Sequence, residues 1–324
     1  MSTVLIRSTM DAALRRYLDD LAAAMGPLPA GLTDAQRAQR GRAAMEAAAQ
    51  TRNAIKGLPN KVSVHDLALT PGLPARLYRP SASSAPRQAL PLLVFLHGGG
   101  WVVGSVATHD AFCRLFCEAA GLAMLSVDYR LAPEHPCPAG LEDALTALRW
   151  ALAHAGDHGC DAARVAIAGD SAGANLAAVT AQRAAALRLP LRGVMLLYPV
   201  TDHPSAGHRS YEENGIGFGL DAALMRWFWQ QYAPSLSPTD PAVSPLRGVV
   251  AALPATLVAT AEFDVLRDEG MAYAARLREA GTVVTHLHAR DMHHNFPVHP
   301  GTVGRFPQCD ATLAACARWA RSVI

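Results

Sequence analysis

Apolar residues fall into two rhythms along this chain. In the first sixty residues they recur at helical spacing: Leu14, Tyr17, Leu18, Leu21 and Met25 make one stripe before Gly26-Pro27-Leu28-Pro29 stops it. Thr33 with Gln36 has the form of a capping box and predicts a second helix running to about Ile55, ended by Gly57 and Pro59. From about Val62 the rhythm changes to short apolar runs separated by helical stretches. The runs predict strands at Val62–Leu69, Ala75–Tyr78, Leu92–Leu96, Ala123–Val127, Val165–Ala168, Gly193–Leu197, Thr256–Thr260 and Val283–Leu287. Several are nearly unbroken in Val, Leu, Ile and Ala, as strands covered on both faces require. The helical stretches lie near Ala111–Ala120, Gly140–His154, Ala172–Leu187, Asp268–Ala280 and Gln308–Ser322.

This alternation predicts an α/β architecture: a mostly parallel, doubly wound, eight-stranded sheet. No helix separates the first two strands, so they are expected to pair antiparallel at one edge. One segment breaks the rhythm between the strand ending near Tyr198 and the one beginning near Thr256. It carries Leu220, Leu224, Trp227, Phe228 and Trp229 on a helical pattern. Long insertions in compact domains tend to be functional or lid-like. The expected organisation is a helical cap segment at 1–60, a core at 61–201 and 241–324, and a cap insertion at 202–240.

Composition narrows the function classes. The 324 residues are 51% hydrophobic and 17% charged, which suits a large buried core and excludes disorder. The formal charge is +2, without a basic arm, so no nucleic-acid partner is expected. Val249 to Ala261 is apolar but too short to span a bilayer and contains Pro254, so no stable membrane insertion is expected. The opening MSTVLIRSTMDAALRRYLDD has no apolar core followed by a small-residue cleavage site, and a cytoplasmic location is expected. The six cysteines read as reduced thiols. Cys113 and Cys117, one helical turn apart, read as packing residues, and no metal site is expected.

Two glycine-rich segments carry the chemistry. Val165-Ala166-Ile167-Ala168-Gly169-Asp170-Ser171-Ala172-Gly173 holds G-x-S-x-G directly after a strand and before a helix. A turn that tight excludes side chains beside the serine, hence Gly169 and Gly173, and it exposes Ser171 above a helix N-terminus. Leu96-His97-Gly98-Gly99-Gly100-Trp101 also follows a buried strand. Three successive glycines suit backbone N–H groups that must approach a developing oxyanion. A serine hydroxyl then needs a base, and the base an orienting carboxylate. Asp264 and His294 follow the last two strands, giving the order Ser, acid, His. His293 is a rival base. Asp202, Asp268 and Asp291 are rival acids. His286 and His288 alternate along one strand and read as half-exposed residues.

His-Gly-Gly-Gly-Trp, Gly-Asp-Ser-Ala-Gly, Asp128-Tyr129-Arg130-Leu131-Ala132-Pro133-Glu134 and the late Asp and His resemble the hormone-sensitive-lipase-like carboxylesterases of the α/β-hydrolase fold. The resemblance covers nearly the whole chain. It implies Ser171 as nucleophile, His294 as general base and acid, and Asp264 as its orienter. It implies an oxyanion hole from the amides of Gly99, Gly100 and Ala172, no cofactor, and a helical cap. Trp101, Phe218, Leu220, Trp227 and Phe296 are implied pocket walls. His97, Gly98, Gly169, Asp170 and Gly173 are expected to be structural, and Asp128, Tyr129, Arg130 and Glu134 to form a buried polar network behind the glycine loop. The chain departs from the family pattern at Ala174, Val265 and Asn295, where Gly, Pro and Gly are usual.

The implied activity is hydrolysis of a small-molecule ester with a short to medium acyl chain, or with an aryl or cyclic alcohol, through an acyl-enzyme on Ser171. Amide, carbamate or lactone hydrolysis uses the same machinery, and a non-catalytic binding member of the fold is a further alternative. Members of this family are often dimers, which makes a homodimer one expected assembly.

Overall fold

Eight strands form one sheet in the order β1-β2-β4-β3-β5-β6-β7-β8 in a computed structural model that describes residues 10–26, 29, 31–53, 61–80, 89–299 and 302–324. The strands are β1 (Val62–Thr70), β2 (Leu73–Pro80), β3 (Leu90–Leu96), β4 (Ala123–Val127), β5 (Cys160–Asp170), β6 (Gly193–Leu197), β7 (Ala255–Phe263) and β8 (Val284–His293). The helices are α1 (Ala12–Met25), α2 (Asp34–Asn53), α3 (Asp110–Ala120), α4 (Ala139–His154), α5 (Ala172–Ala186), α6 (Ser210–Glu213), α7 (Ala222–Tyr232), α8 (Arg267–Glu279) and α9 (Pro307–Val323). The expected ends at Pro27, Leu28, Ile55, Gly57 and Pro59 lie outside the described residues. Among the described residues, no helix is long and apolar enough to cross a membrane.

β1 and β2 pair antiparallel, as the missing intervening helix predicts, and β2 also pairs antiparallel with β4. The strands from β4 to β8 are parallel. The unbroken apolar runs have a direct cause. Successive strand side chains point to opposite faces, and both faces are covered. Leu92, Val94 and Leu96 of β3 enter one core with Leu141, Leu148 and Leu176, whereas Leu93 and Phe95 enter another with Phe112, Phe116 and Trp319. β5 divides likewise: Val165 and Ile167 go one way, Ala166 and Ala168 the other. Each fully buried Val, Leu or Phe contributes roughly 1.5–3 kcal/mol, so the sheet is fixed by its two-sided burial.

Both N-terminal helices are capped, the second by the Thr33–Gln36 box read from the sequence. Asp11 accepts from the amides of Ala13 and Leu14 at 2.7 and 3.3 Å. Thr33 and Gln36 make the reciprocal box: the Thr33 amide donates to Gln36 Oε1 at 2.9 Å, and the Gln36 amide to Thr33 Oγ1 at 3.3 Å. Both helices touch the 202–240 insertion. Trp227 of α7 donates its indole N–H to Asp34 at 2.7 Å, and Arg37 lies over the same ring at 4.1 Å. Arg15 of α1 donates to the Gly217 carbonyl at 2.8 Å.

β3, β5, β7 and β8 all run in one direction, and each ends immediately before a candidate site residue or its loop: His97 follows β3, Ser171 follows Asp170 of β5, Asp264 follows Phe263 of β7, and His294 follows His293 of β8. In open parallel sheets sites form at this carboxyl end. The topology therefore gathers residues more than a hundred positions apart.

Candidate active site

Ser171 occupies the turn between β5 and α5 with φ 53° and ψ −118°. That conformation is sparsely populated for a side-chain-bearing residue and costs on the order of 1–3 kcal/mol. The surrounding packing imposes it. A Cβ on Gly169 would stand 2.3 Å from the Gly173 carbonyl group, and a Cβ on Gly173 would stand 2.0 Å from the Leu96 carbonyl oxygen. Glycine at both places lets the turn fold onto itself and onto the end of β3. The Ser171 amide is anchored on the Leu197 carbonyl at 2.9 Å.

Three side chains join in one line. His294 Nδ1 donates to Asp264 Oδ2 at 2.8 Å, and its Nε2 stands 3.0 Å from Ser171 Oγ. Because a carboxylate only accepts, the proton lies on Nδ1, which leaves the Nε2 lone pair for the serine hydroxyl. Ser171, His294 and Asp264 are 5%, 4% and 2% exposed. Asp264 is held by the Leu266 amide, which donates to Oδ1 at 2.9 Å, and Asn214 donates to the carbonyls of Glu262 and Asp264. The edge of the His294 ring meets Tyr198 with centroids 4.7 Å apart. Asn295 follows His294 with φ 71°. Asparagine tolerates that left-handed backbone better than other non-glycine residues, which accounts for one departure from the family pattern.

The rivals lie elsewhere. His293 is buried beside Tyr17, centroids 5.5 Å apart, and neither ring nitrogen has a hydrogen-bond partner among the described residues. Asp202 pairs with Arg247 at 2.6 Å and His208 at 3.1 Å. Asp268 accepts from the Ser210 amide and pairs with Arg267. The Asp291 amide donates to Glu262. His286 and His288, both half-buried, share the Thr260 hydroxyl at 2.9 and 3.0 Å.

The glycine loop lies against the serine turn. Gly98 donates its amide to Asp170 Oδ1 at 2.7 Å, and a Cβ there would meet Asp170 at 2.3 Å. The first amide of the three is thus committed to structure. The amides of Gly99, Gly100 and Ala172 have no acceptor among the described residues, and they are the donors available to an incoming oxygen. Gly99 and Gly100 adopt φ 118° and 59°. Asp170 also accepts from Tyr198 at 3.3 Å and lies 3.4 Å from His109. Burial opposes its charge, but His109, the Gly98 amide and His97 outweigh that, and its carboxyl lies below the ordinary range. His97 is fully buried, donates from Nδ1 to the Gly98 carbonyl at 2.8 Å and stacks on Tyr129 at 4.4 Å. The network behind the loop is less buried than expected. Tyr129 is buried and Asp128 partly so, but Arg130 and Glu134 reach the surface to pair with Asp143 and Arg42.

The expected pocket walls divide. Trp101 and Phe296 are 1% and 0% exposed. Trp101 stacks on Tyr232 with centroids 4.1 Å apart, and Phe296 packs near Tyr198. Trp227 and Leu220 are mostly buried in the insertion, and the half-buried Phe218 stacks on Phe263 at 5.4 Å. Phe228 is the aromatic at the loop, because a Cβ on Gly100 would fall 2.2 Å from its ring. Phe228 lies on the helical pattern of the insertion, which carries no signal of what it covers. Asn214, Tyr198 and His109 have no sequence signal, since each is tied in through a long-range bond.

Two histidines give this end of the sheet an acid sensitivity. Burial, then His109, lowers the pKa of His97 to about 3; burial, then His299, lowers that of His293 to about 3. An unfolded histidine titrates near about 6.5. Between these values unfolding takes up a proton at each ring. The contribution of these two groups to stability is therefore complete above about pH 6.5 and declines below it, by up to about 1.4 kcal/mol per pH unit for each group. Urea midpoints should fall steadily from pH 7 to pH 4.5; an unchanged midpoint over that range contradicts neutral burial of these rings.

Comparison with known proteins matches residues 93–298 to a family model described as the alpha/beta hydrolase fold. The chain is 46% identical over 256 residues to the carboxylic ester hydrolase LipN of Mycobacterium tuberculosis, covering 75% of this chain and 66% of that protein. It is 43% identical over 229 residues to an ethyl acetate hydrolase of Pseudomonas putida, covering 68% and 71%. In structure it is similar to a hyperthermophilic esterase from the archaeon Pyrobaculum calidifontis, with TM-score 0.87, 32% identity and coverage of 97% and 99%.

Proposed function

The chain belongs to the hormone-sensitive-lipase-like family of α/β-hydrolases and is a carboxylic ester hydrolase, and we propose that it works as a serine esterase on esters with short to medium acyl chains or aryl or cyclic alcohols. The observation that carries this reading is the unbroken line Ser171–His294–Asp264, beside a glycine loop tied to the serine turn through Gly98 and Asp170, with the amides of Gly99, Gly100 and Ala172 lacking an acceptor among the described residues.

The ester carbonyl oxygen lies against the amides of Gly99, Gly100 and Ala172. Ser171 Oγ attacks the carbonyl carbon as its proton passes to His294 Nε2. The tetrahedral oxyanion takes hydrogen bonds from the three amides, which are stronger for the developing charge than for the neutral carbonyl. The imidazolium gives the proton to the leaving alcohol, and an acyl-enzyme remains on Ser171. Water, deprotonated by the same nitrogen, releases the acid. Asp264 stays ionised and stabilises the charged ring. The helices of 1–60 and the insertion of 202–240 serve as a cap over this end of the sheet.

The size class rests on Phe228, which closes the space over Gly100, and on the aromatic character of α7. The relative named for ethyl acetate supports a small acyl group. A series of nitrophenyl esters should show its optimum below twelve carbons, with a phosphonate probe labelling Ser171. Phe228→Ala should move that optimum to longer chains. An optimum at twelve carbons or beyond in the wild type overturns the size class, and absence of labelling at Ser171 overturns the mechanism.

A further inference from the structure

The glycine loop is held from inside by the serine turn, and from outside by a residue far from it in sequence. Arg42 of α2 donates Nε to the Val102 carbonyl at 2.7 Å and Nη2 to the Ala132 carbonyl at 2.8 Å. The same guanidinium pairs with both oxygens of Glu134, at 2.9 and 2.6 Å. The two carbonyls belong to one structure. Ala132 donates its own amide to the Trp101 carbonyl at 2.9 Å, and the amides of Val102 and Val103 both donate to the Gly99 carbonyl at 3.1 and 2.9 Å. Arg42 therefore grips the far side of the turn that presents Gly99 and Gly100. Gly41 lets it come so close: a Cβ there would stand 3.0 Å from the Val103 side chain. Glycine inside a helix is otherwise unfavourable relative to alanine. At its start the same helix is fastened through Asp34 and Arg37 to Trp227, the neighbour of Phe228, whose ring covers Gly100. Thus α2 holds both the loop and the helix that roofs it.

We propose that Arg42 is a positioning residue for the oxyanion-binding loop, fixing the direction of the Gly99 and Gly100 amides by clamping the carbonyls of Val102 and Ala132. This rests on the serine-esterase reading above. Arg42 touches no reacting atom. Its effect appears where the amides matter most, in the transition state, because loss of one oxyanion donor costs about 10²–10³ in kcat and a misplacement of about 1 Å costs about 10². The ion pair with Glu134 lies near the surface and is a lesser part of the effect. The planar fork makes the two carbonyl bonds at once, which a lysine ammonium does with poorer geometry.

The test compares wild type with Arg42→Ala, Arg42→Lys and Glu134→Gln, using kcat and KM on a short nitrophenyl ester normalised to phosphonate-titrated sites. Inhibition by a trifluoromethyl ketone, which forms a tetrahedral oxyanion, is set beside inhibition by the carboxylic acid product. Arg42→Ala should lower kcat roughly 10- to 100-fold with KM changed by less than about threefold, and weaken the ketone by a similar factor while leaving the product acid unaffected. Arg42→Lys should lie between, added guanidinium ion should partly restore Arg42→Ala, and Glu134→Gln should stay within about threefold of wild type. Full kcat in Arg42→Ala overturns the proposal, as does equal weakening of ketone and product. A loss of activity without rescue by guanidinium or lysine, together with a lowered melting temperature, assigns Arg42 to stability alone and also overturns it. Failure of wild type to be labelled at Ser171 identifies the serine-esterase reading as the part that fails.

Discussion

Ser171→Ala should fold normally and lose hydrolysis by about 10⁶-fold, with His294→Ala losing about as much and the double variant scarcely more. The near-equality follows from the geometry. In the proposed mechanism Ser171 and His294 are the two ends of one proton transfer across 3.0 Å, so removing either removes the whole step, and catalytic triads show single losses of about 2 × 10⁶ that are strongly non-additive. Additive losses would mean that serine and histidine act separately. The fold should survive because Ala is no worse than Ser at φ 53° and the serine hydroxyl hydrogen-bonds only to the histidine among the described residues. His293→Ala is the internal comparison. It sits beside His294 in the chain, yet its ring packs against Tyr17, so it should reduce stability rather than kcat. Circular dichroism, melting temperature and steady-state rates on one ester separate the two outcomes.

Local signals in the sequence reached far at this site because local sterics dominate it. Gly169 and Gly173 are required by carbonyls within 2.3 Å of where a Cβ would be, and Gly98 by the Asp170 carboxylate; such demands leave glycine as the readable residue. The apolar runs of β3 and β5 are equally legible, since two covered faces leave no room for alternation of apolar and polar residues. Strand ends were less so: β5 begins at Cys160 and β8 continues to His293, held by pairing with neighbours and not by their own composition. The packing of the aromatics around the glycine loop was least legible. Trp101 and Phe228 are both large aromatics near the glycine loop, and only the position of α7 decides that Trp101 stacks on Tyr232 while Phe228 covers Gly100. Arg42 was invisible for the same reason, because its partners lie sixty and more residues away.

Asp264→Asn should lower kcat by about 10⁴-fold, and Asp202→Asn should leave it within about tenfold of wild type. Both aspartates are buried acids following strands of the parallel sheet, yet their partners differ in kind. Asp264 faces the imidazole, and its charge fixes the proton on His294 Nδ1 at 2.8 Å. An asparagine would offer an N–H there or accept without charge. In the first case the ring takes the other tautomer and Nε2 can no longer receive the serine proton; in the second the imidazolium of the transition state loses its counter-charge. A comparable replacement in a serine protease triad costs about 10⁴, equivalent to about 5.5 kcal/mol at 1.36 kcal/mol per decade. Burial pushes Asp202 upward, but His208 and Arg247 outweigh it and hold its carboxyl below the ordinary range. Its charge is thus spent on an ion pair that ties the 202–208 segment to Arg247. Asp202→Asn should accordingly lower the melting temperature, with an effect on stability larger than its effect on rate. Rates and melting curves on the two variants check this directly, and a 10⁴-fold loss in Asp202→Asn with Asp264→Asn nearly active would reverse the assignment of the acid.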